Sequence, residues 1–376
     1  MIVFISQNKF PEGDAGSERS LYLAQAYQRL GYEVLVIAHG TKSKNGNHKG
    51  IPYLSLRFFR NRVLSRLLWY SRMKRQMKEL EKNSIDAIIV GNLERKSLVF
   101  LKRWSIKRKV FFIYDADEWY DPRQFKHGEK AIGYRMNNDL ITKFIDKETR
   151  VIAISSFLNN YFTSRGIKSV NIPVIFNQSE VQYMAKKPSD GLVLQYAGSP
   201  GKKDSLDMVF YGLNLLNDEE LHKIHFRLIG VTESQAKALM DESIVFERLL
   251  PYMSFYGRKP MSFVRTMMET ADFNILLRND DYRNVRAGFS TKVVEGVTYS
   301  TPFIMNLTSD LGLYFTDGID CIEVKEFSPE SIKDAVRRAL SLTKQERIHL
   351  SLASKTTAVK FFNIDSYEER LKDIVR

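Results

Sequence analysis

The chain has 376 residues, 44% hydrophobic and 12% aromatic, with a formal net charge of +13 and one cysteine. That length favours two domains over one, and that apolar content excludes a disordered chain. The lone Cys321 excludes a disulfide framework and a thiolate metal cluster, and no stretch approaches the roughly 20 apolar residues of a membrane span.

The opening MIVFISQNKF has too short an apolar run for a signal peptide, so a soluble, cytoplasmic protein is expected. The charge is uneven. Residues 1–180 hold 31 Lys and Arg against 17 Asp and Glu, and the remainder holds 26 against 27. An anionic partner is expected to meet the first half. A merely soluble basic surface is the plain alternative.

In chain order, IVFIS (2–6) reads as a buried strand. A polar loop follows; Ser17 is placed to cap a helix running to Leu30, and Gly31 to end it. EVLVIAH (33–39), DAIIVG (86–91), VFFIYD (110–115) and RVIAIS (150–155) are further short apolar runs with helical patterns between them. The stretch 177–190 has few strong apolar residues and reads as a linker. The pattern then restarts with GLVLQYAG (191–198), a helix over about 204–216, HFRLIG (225–230), MSFYG (253–257), DFNILL (272–277), PFIMN (302–306) and CIEV (321–324). The tail from Pro329 is helical, with apolar spacing at Ile332, Val336 and Leu340. Strands alternating with helices imply a doubly wound parallel sheet, here twice over. Two such Rossmann-like α/β domains facing across a cleft would bind ligands where strands end at their carboxyl side, so the loops there should carry chemistry.

Five segments do. In PEGDAGSER (11–19), Gly13 and Gly16, flanking Asp14 and Ala15, let the loop's backbone approach a ligand, and Arg19 in the first helical turn would reach a phosphate. The spacing is not G-x-G-x-x-G, so no dinucleotide fingerprint is present. An ordinary glycine-bearing connector is the alternative. In RFFRNRVLSRLLWYSRMKRQMKEL (57–80), Phe59, Val63, Leu67 and Tyr70 follow helical spacing. Arg57, Arg60, Arg62, Arg66 and Trp69 then suit an anionic membrane surface, each basic group adding about 1 kcal/mol there. A core-packed helix with solvated arginines is the other reading. No recognition motif supports nucleic acid.

In IYDADEWYDP (113–122), Asp115, Asp117 and Glu118 cluster at a strand end, where they position an acceptor hydroxyl or act as a base. An Asp-x-Asp pair also suits a divalent metal, but the chain supplies cations of its own, so no metal or cofactor is expected. A solvated acidic loop is the alternative. In YAGSPGKKD (196–204), Gly198 and Ser199 leave a strand, and Lys203, or Lys202 in its place, begins a helix and neutralises a diphosphate. In 278–305 a helix opens on Gly288-Phe289-Ser290-Thr291-Lys292, whose amides and dipole favour an anion. Lys292 adds a cation, Glu295 one turn on suits a diol, and Arg278 and Arg258 are further candidates to bind the same ligand. The histidines show no ligand spacing.

Taken together, these segments resemble the family-four retaining glycosyltransferases of the GT-B fold, over nearly the whole chain. PEGDAGSERS is similar to that family's glycine-rich loop, YAGSPGKK to its phosphate loop, and AGFSTKVVEG followed by STPFIMN to its donor signature. Glu295 matches the second Glu of the family's paired-Glu motif, which binds ribose hydroxyls, whereas the first falls at Ala287. Ser199 stands at the usual Arg position, Lys203 fits the family's Lys, and Asp115 sits where many members carry a catalytic His. The resemblance implies an acceptor-binding domain over 1–176, a nucleotide-sugar-binding domain over 190–355, and a final helix, 356–376, returning to the first. It further implies metal-independent, retaining transfer from a nucleoside-diphosphate sugar, expected to be a UDP-sugar. The implied acceptor is a glycan or polyprenyl-linked saccharide of capsule or envelope synthesis at the inner face of the membrane. Asp115, Lys203 and Glu295 carry the catalytic roles in that picture. A sugar-nucleotide isomerase or epimerase, or a silent protein of the same architecture, is the alternative, and Ala287 is the best argument for the silent protein.

Overall fold

The computed structural model describes residues 1–11, 15–57, 62–181, 186–199, 201, 203–240 and 243–376, with the side chains of 62–64, 66, 67 and 243 also outside the description. The chain forms two compact α/β units. The first comprises Met1–Asn177, Ala287–Phe289 and Asn363–Arg376; the second comprises Gln178–Arg286 and Ser290–Phe362.

Among the described residues the first unit has β1 (Ile2–Lys9), β2 (Val34–Gly40), β3 (Lys44–His48), β4 (Ile51–Arg57), β5 (Ala87–Gly91), β6 (Phe111–Ala116), β7 (Arg150–Ala153) and β8 (Ser169–Asn171), in the order β3-β4-β2-β1-β5-β6-β7-β8. All pairs are parallel except β3 with β4. In β1, Ile2, Val3, Phe4 and Ile5 are all buried, because helices cover both faces of a parallel sheet and no side of the strand meets water.

The β3–β4 hairpin has no counterpart in the sequence reading. The residues of β3, KNGNH, are polar and mostly exposed, as befits an edge strand, so no apolar run betrays them. The turn is Lys49-Gly50, both at positive φ (49° and 84°), and the Gly50 amide donates to Asn47 Oδ1 at 3.0 Å.

Two helices differ from expectation. The first begins at Ala15, so Ser17 lies inside it, buried, rather than capping it. Its end is as read: Gly31 takes φ 86°, and Tyr32 N–H donates to the Tyr27 carbonyl at 3.1 Å. The basic helix runs Arg62–Leu80, and Arg57 instead closes β4. Its inward stripe is Ser65, Trp69, Met73 and Met77, all fully buried. Trp69 packs edge-on against His39 with ring centroids 5.7 Å apart, so it is a core residue and not a membrane anchor. The arginines interrupting this helix hid which of two possible stripes was the apolar one. Phe58, Phe59 and Arg60 lie outside the described residues, as do the side chains of Arg62, Val63, Arg66 and Leu67.

The first unit is finished by its last segment. Ile364, Tyr367, Leu371, Ile374 and Val375 pack into the same core as Tyr27, Ile89 and Ile172. The Ile364 amide donates to the Phe176 carbonyl at 2.9 Å, and Arg150 Nη1 donates to the Ile374 carbonyl at 2.8 Å.

The second unit has β9 (Leu192–Ala197), β10 (Ile224–Ile229), β11 (Met253–Gly257), β12 (Phe273–Leu276), β13 (Phe303–Met305) and β14 (Cys321–Glu323), all parallel, in the order β11-β10-β9-β12-β13-β14. The helix Thr291–Thr298 lies close on this sheet. A Cβ at Gly296 would stand 2.4 Å from the Phe303 ring, so only glycine allows that approach.

Candidate functional site

In each unit the strand order reverses beside a central strand: between β9 and β12 in the second, between β1 and β5 in the first. At such switch points the connecting helices leave to opposite faces, and a crevice opens at the carboxyl ends of the strands. The residues with chemistry gather there.

In the second unit β9 ends into Gly198 and β12 into Arg278. Asp204, in the turn before the helix Leu206–Asn214, is 5% exposed and binds both sides of this crevice. Its Oδ1 accepts from Arg278 Nε at 2.8 Å. Its Oδ2 pairs with the Lys292 ammonium and lies 3.0 Å from the Tyr196 hydroxyl. Lys292 also donates to that hydroxyl at 3.2 Å. Burial alone would raise the Asp204 pKa, but Arg278 and Lys292 outweigh it and hold the carboxyl at about 2. Burial lowers the Lys292 pKa, with Asp204 opposing. The Arg278 loop is itself clamped: its N–H donates to Asn306 Oδ1 at 2.9 Å, and Asn306 Nδ2 donates to its carbonyl at 2.6 Å.

Gly198 has a specific reason to be glycine. Its φ is 155°, and a Cβ there would stand 2.0 Å from Lys292 Cε. The lysine stem lies across the backbone of the loop, which is how the ammonium reaches Asp204. Ser290 caps the helix Thr291–Thr298, accepting from the Val293 amide at 3.4 Å. Val293, Val294 and Val297 face the core, while Lys292 and the half-buried Glu295 lie one turn apart.

The expected donor residues therefore divide. Gly198, Ser199, Arg278 and Lys292 are brought together around Asp204, with Ser290, Thr291 and Glu295 on the adjoining helix. Lys203 is exposed in the turn before Leu206, not at a helix start, and its charge bears on Lys292. Lys202 lies outside the described residues. Arg258 is exposed past the end of β11, two strands from β9. Ala287, Gly288 and Phe289 pack with the first unit, where the Ser155 hydroxyl donates to the Ala287 carbonyl at 2.7 Å. Asp204 and Tyr196 were not read as functional. The only signal was a carboxylate directly after two lysines.

In the first unit Arg19 corrects an expectation. It is 5% exposed, and its guanidinium is spent on Asp115 (Nε to Oδ1 2.9 Å and to Oδ2 3.0 Å), the Pro173 carbonyl (2.7 Å) and the Ile172 carbonyl (3.1 Å). It is a strut for Asp115 and does not reach for phosphate. Asp117 and Glu118 line a cavity of about 770 Å³ with Ala15, Gly16, Asn8 and Asn92. Burial, together with the charges of Asp115 and Glu118, pushes the Asp117 pKa up to about 7. Gly13 and Asp14 lie outside the described residues. Among the described residues no three His, Cys, Asp or Glu side chains are grouped to hold a metal ion, and no helix is long and apolar enough to cross a membrane.

Residues 16–178 match the sequence profile described as Glycosyltransferase Family 4. No curated protein matches the chain. Solved structures resemble it along its length. A sucrose-phosphate synthase from Thermosynechococcus elongatus superposes with a TM-score of 0.74 at 13% identity, over 99% of this chain and 97% of that one. Alr3699/HepE of Anabaena, in complex with UDP-glucose, gives 0.68 at 14% identity over 99% and 98%. WaaG, a glycosyltransferase involved in lipopolysaccharide biosynthesis, gives 0.67 at 15% identity over 100% and 99%. The fold is thus that of the GT-B glycosyltransferases, with two parallel-sheet α/β units.

Proposed function

We propose that the protein is a retaining glycosyltransferase. It moves a sugar from a nucleoside-diphosphate sugar, in the first instance a UDP-sugar, to a glycan or lipid-linked saccharide in envelope or capsular polysaccharide synthesis. The observation that carries this reading is the convergence of Arg278 and Lys292 on one buried carboxylate at the switch point of the second sheet, beside the helix Thr291–Thr298. Two cations against one anion leave a positive site, with helix amides adjoining it, and that is chemistry for a diphosphate. The Family 4 match over residues 16–178 and the UDP-glucose bound by the HepE relative support it.

In this reading Lys292, Arg278 and Lys203 stabilise the diphosphate as the anomeric carbon–oxygen bond breaks, so no metal is needed. Glu295 accepts hydrogen bonds from ribose hydroxyls. The acceptor hydroxyl forms the new bond on the face the phosphate leaves, and its proton passes to the departing phosphate oxygen. The acceptor lies in the cavity of the first unit, where Asp117 and Glu118 orient it, with Asp115, held by Arg19, on the same strand end. The positive excess of residues 1–180 suits an anionic acceptor or an anionic membrane surface at the cytoplasmic face.

The test is incubation with labelled UDP-sugars in the presence of a chelator. The expected outcome is slow hydrolysis without acceptor, faster transfer to a lipid-linked saccharide, and a product whose anomeric configuration by NMR is that of the donor. Binding without turnover, or epimerisation of the donor, would reject the transferase. Vesicles of anionic lipid should retain the protein at low salt and release it at high salt.

A further inference from the structure

Asp204 does something a phosphate site does not obviously need: it puts a negative charge against the two cations that would hold the ligand. Its oxygens meet Arg278 Nε at 2.8 Å and the Lys292 ammonium, and it is 5% exposed, so solvent screens it little. The three side chains together carry one net positive charge. Without Asp204 they would carry two.

The diphosphate of a nucleotide sugar is a diester with two negative charges. The nucleoside diphosphate left after transfer ends in a phosphate monoester, whose second ionisation lies near pH 6, and so carries a third at neutral pH. A more positive site favours the trianion over the dianion. We infer that Asp204 is a specificity residue of the donor site, a built-in counter-ion that holds Arg278 and Lys292 in place while limiting the advantage of the spent nucleoside diphosphate over the nucleotide sugar. The inference rests on the reading of the second unit as donor-binding. Among the described residues, Tyr196 on β9, Arg278 after β12, Lys292 on the helix Thr291–Thr298 and Lys203 in its own turn are polar and charged groups acting on this cluster. A carboxylate at bonding distance from both cations cannot be replaced by bulk ions.

The experiment is calorimetric titration of the wild-type chain and Asp204→Asn with UDP and with UDP-glucose at one pH and ionic strength, reading the ratio of the two affinities. Asp204→Asn should shift the ratio toward UDP by about fivefold or more, the effect of one nearby charge acting on one extra phosphate charge. UDP should become a correspondingly stronger product inhibitor. A merely structural role would weaken both ligands together and leave the ratio fixed. Should Asp204→Asn alone fail to fold, the same substitution is read in an Arg278→Gln background, where only Lys292 loses its carboxylate; the same shift is expected there. An unchanged ratio, or a shift toward UDP-glucose, overturns the inference while leaving the donor site standing. Wild type that binds neither UDP, UDP-glucose nor their guanosine and adenosine counterparts would overturn the donor site, and the inference with it.

Discussion

Each sheet places a largely shielded carboxylate beside arginine near its switch point, and the two arrangements differ in their surplus. Asp115 in the first unit is met by one arginine, and every arm of that guanidinium is occupied by the carboxylate or by a backbone carbonyl. Asp204 in the second is met by an arginine and a lysine at once. The first pair is closed: it neutralises itself and fixes geometry. The second is open: it keeps one positive charge over, and such a site can accept an anion. Cations near a strand end do not by themselves make an anion site; what matters is how many remain after the local carboxylates are counted.

The sharpest way to break this comparison is Arg19→Met. Asp115 would be left with only 12% side-chain exposure and no partner, so a loss of about 3–5 kcal/mol in chemical denaturation is expected. A loss below about 1 kcal/mol would make the pair an ordinary surface bridge. Next is Gly198→Ala, where the added Cβ meets Lys292 Cε and φ is 155°. Relief requires the lysine to move, so a stability loss of about 1–3 kcal/mol should accompany weakened UDP binding. Unchanged UDP binding would show that Lys292 does not hold phosphate.

Glu295→Ala should cost about 1–2 kcal/mol of nucleotide affinity, the worth of hydrogen bonds to a charged acceptor, with little change in melting temperature. Retained affinity would remove Glu295 from the donor site. The smallest effect belongs to Asp117. Its folded pKa, about 7, lies above the ordinary carboxylate value, so the protonated form contributes stability that is full below about pH 4 and is lost as pH rises toward 7. Wild type should lose about 1 kcal/mol more than Asp117→Asn between pH 6 and pH 7, and parallel pH curves would contradict the burial of that carboxyl.

These residues also mark where sequence reading stopped. The buried strands were legible because four or five consecutive apolar residues leave few other fates. The hairpin was not, since an exposed edge strand such as KNGNH has no reason to be apolar. Trp69 was turned the wrong way because arginines break both candidate stripes of its helix, and only packing against His39 chooses between them. The loops at the strand ends announce themselves by their glycines and charges. The pairings were not: Asp204 meets partners 74 and 88 residues away, and Arg19 meets Asp115 across 96. A local pattern shows which charges exist at a strand end but not which of them cancel.

The seam formed by Ile364, Tyr367, Leu371, Ile374 and Val375 bears on synthesis as well as on architecture. Translated from its amino end, the first unit emerges with its core still lacking these side chains, and it waits through manufacture of the whole second unit before they arrive. The apolar surface that the seam covers in the finished fold is uncovered for that interval, and surface of that kind is what makes incomplete folds prone to association.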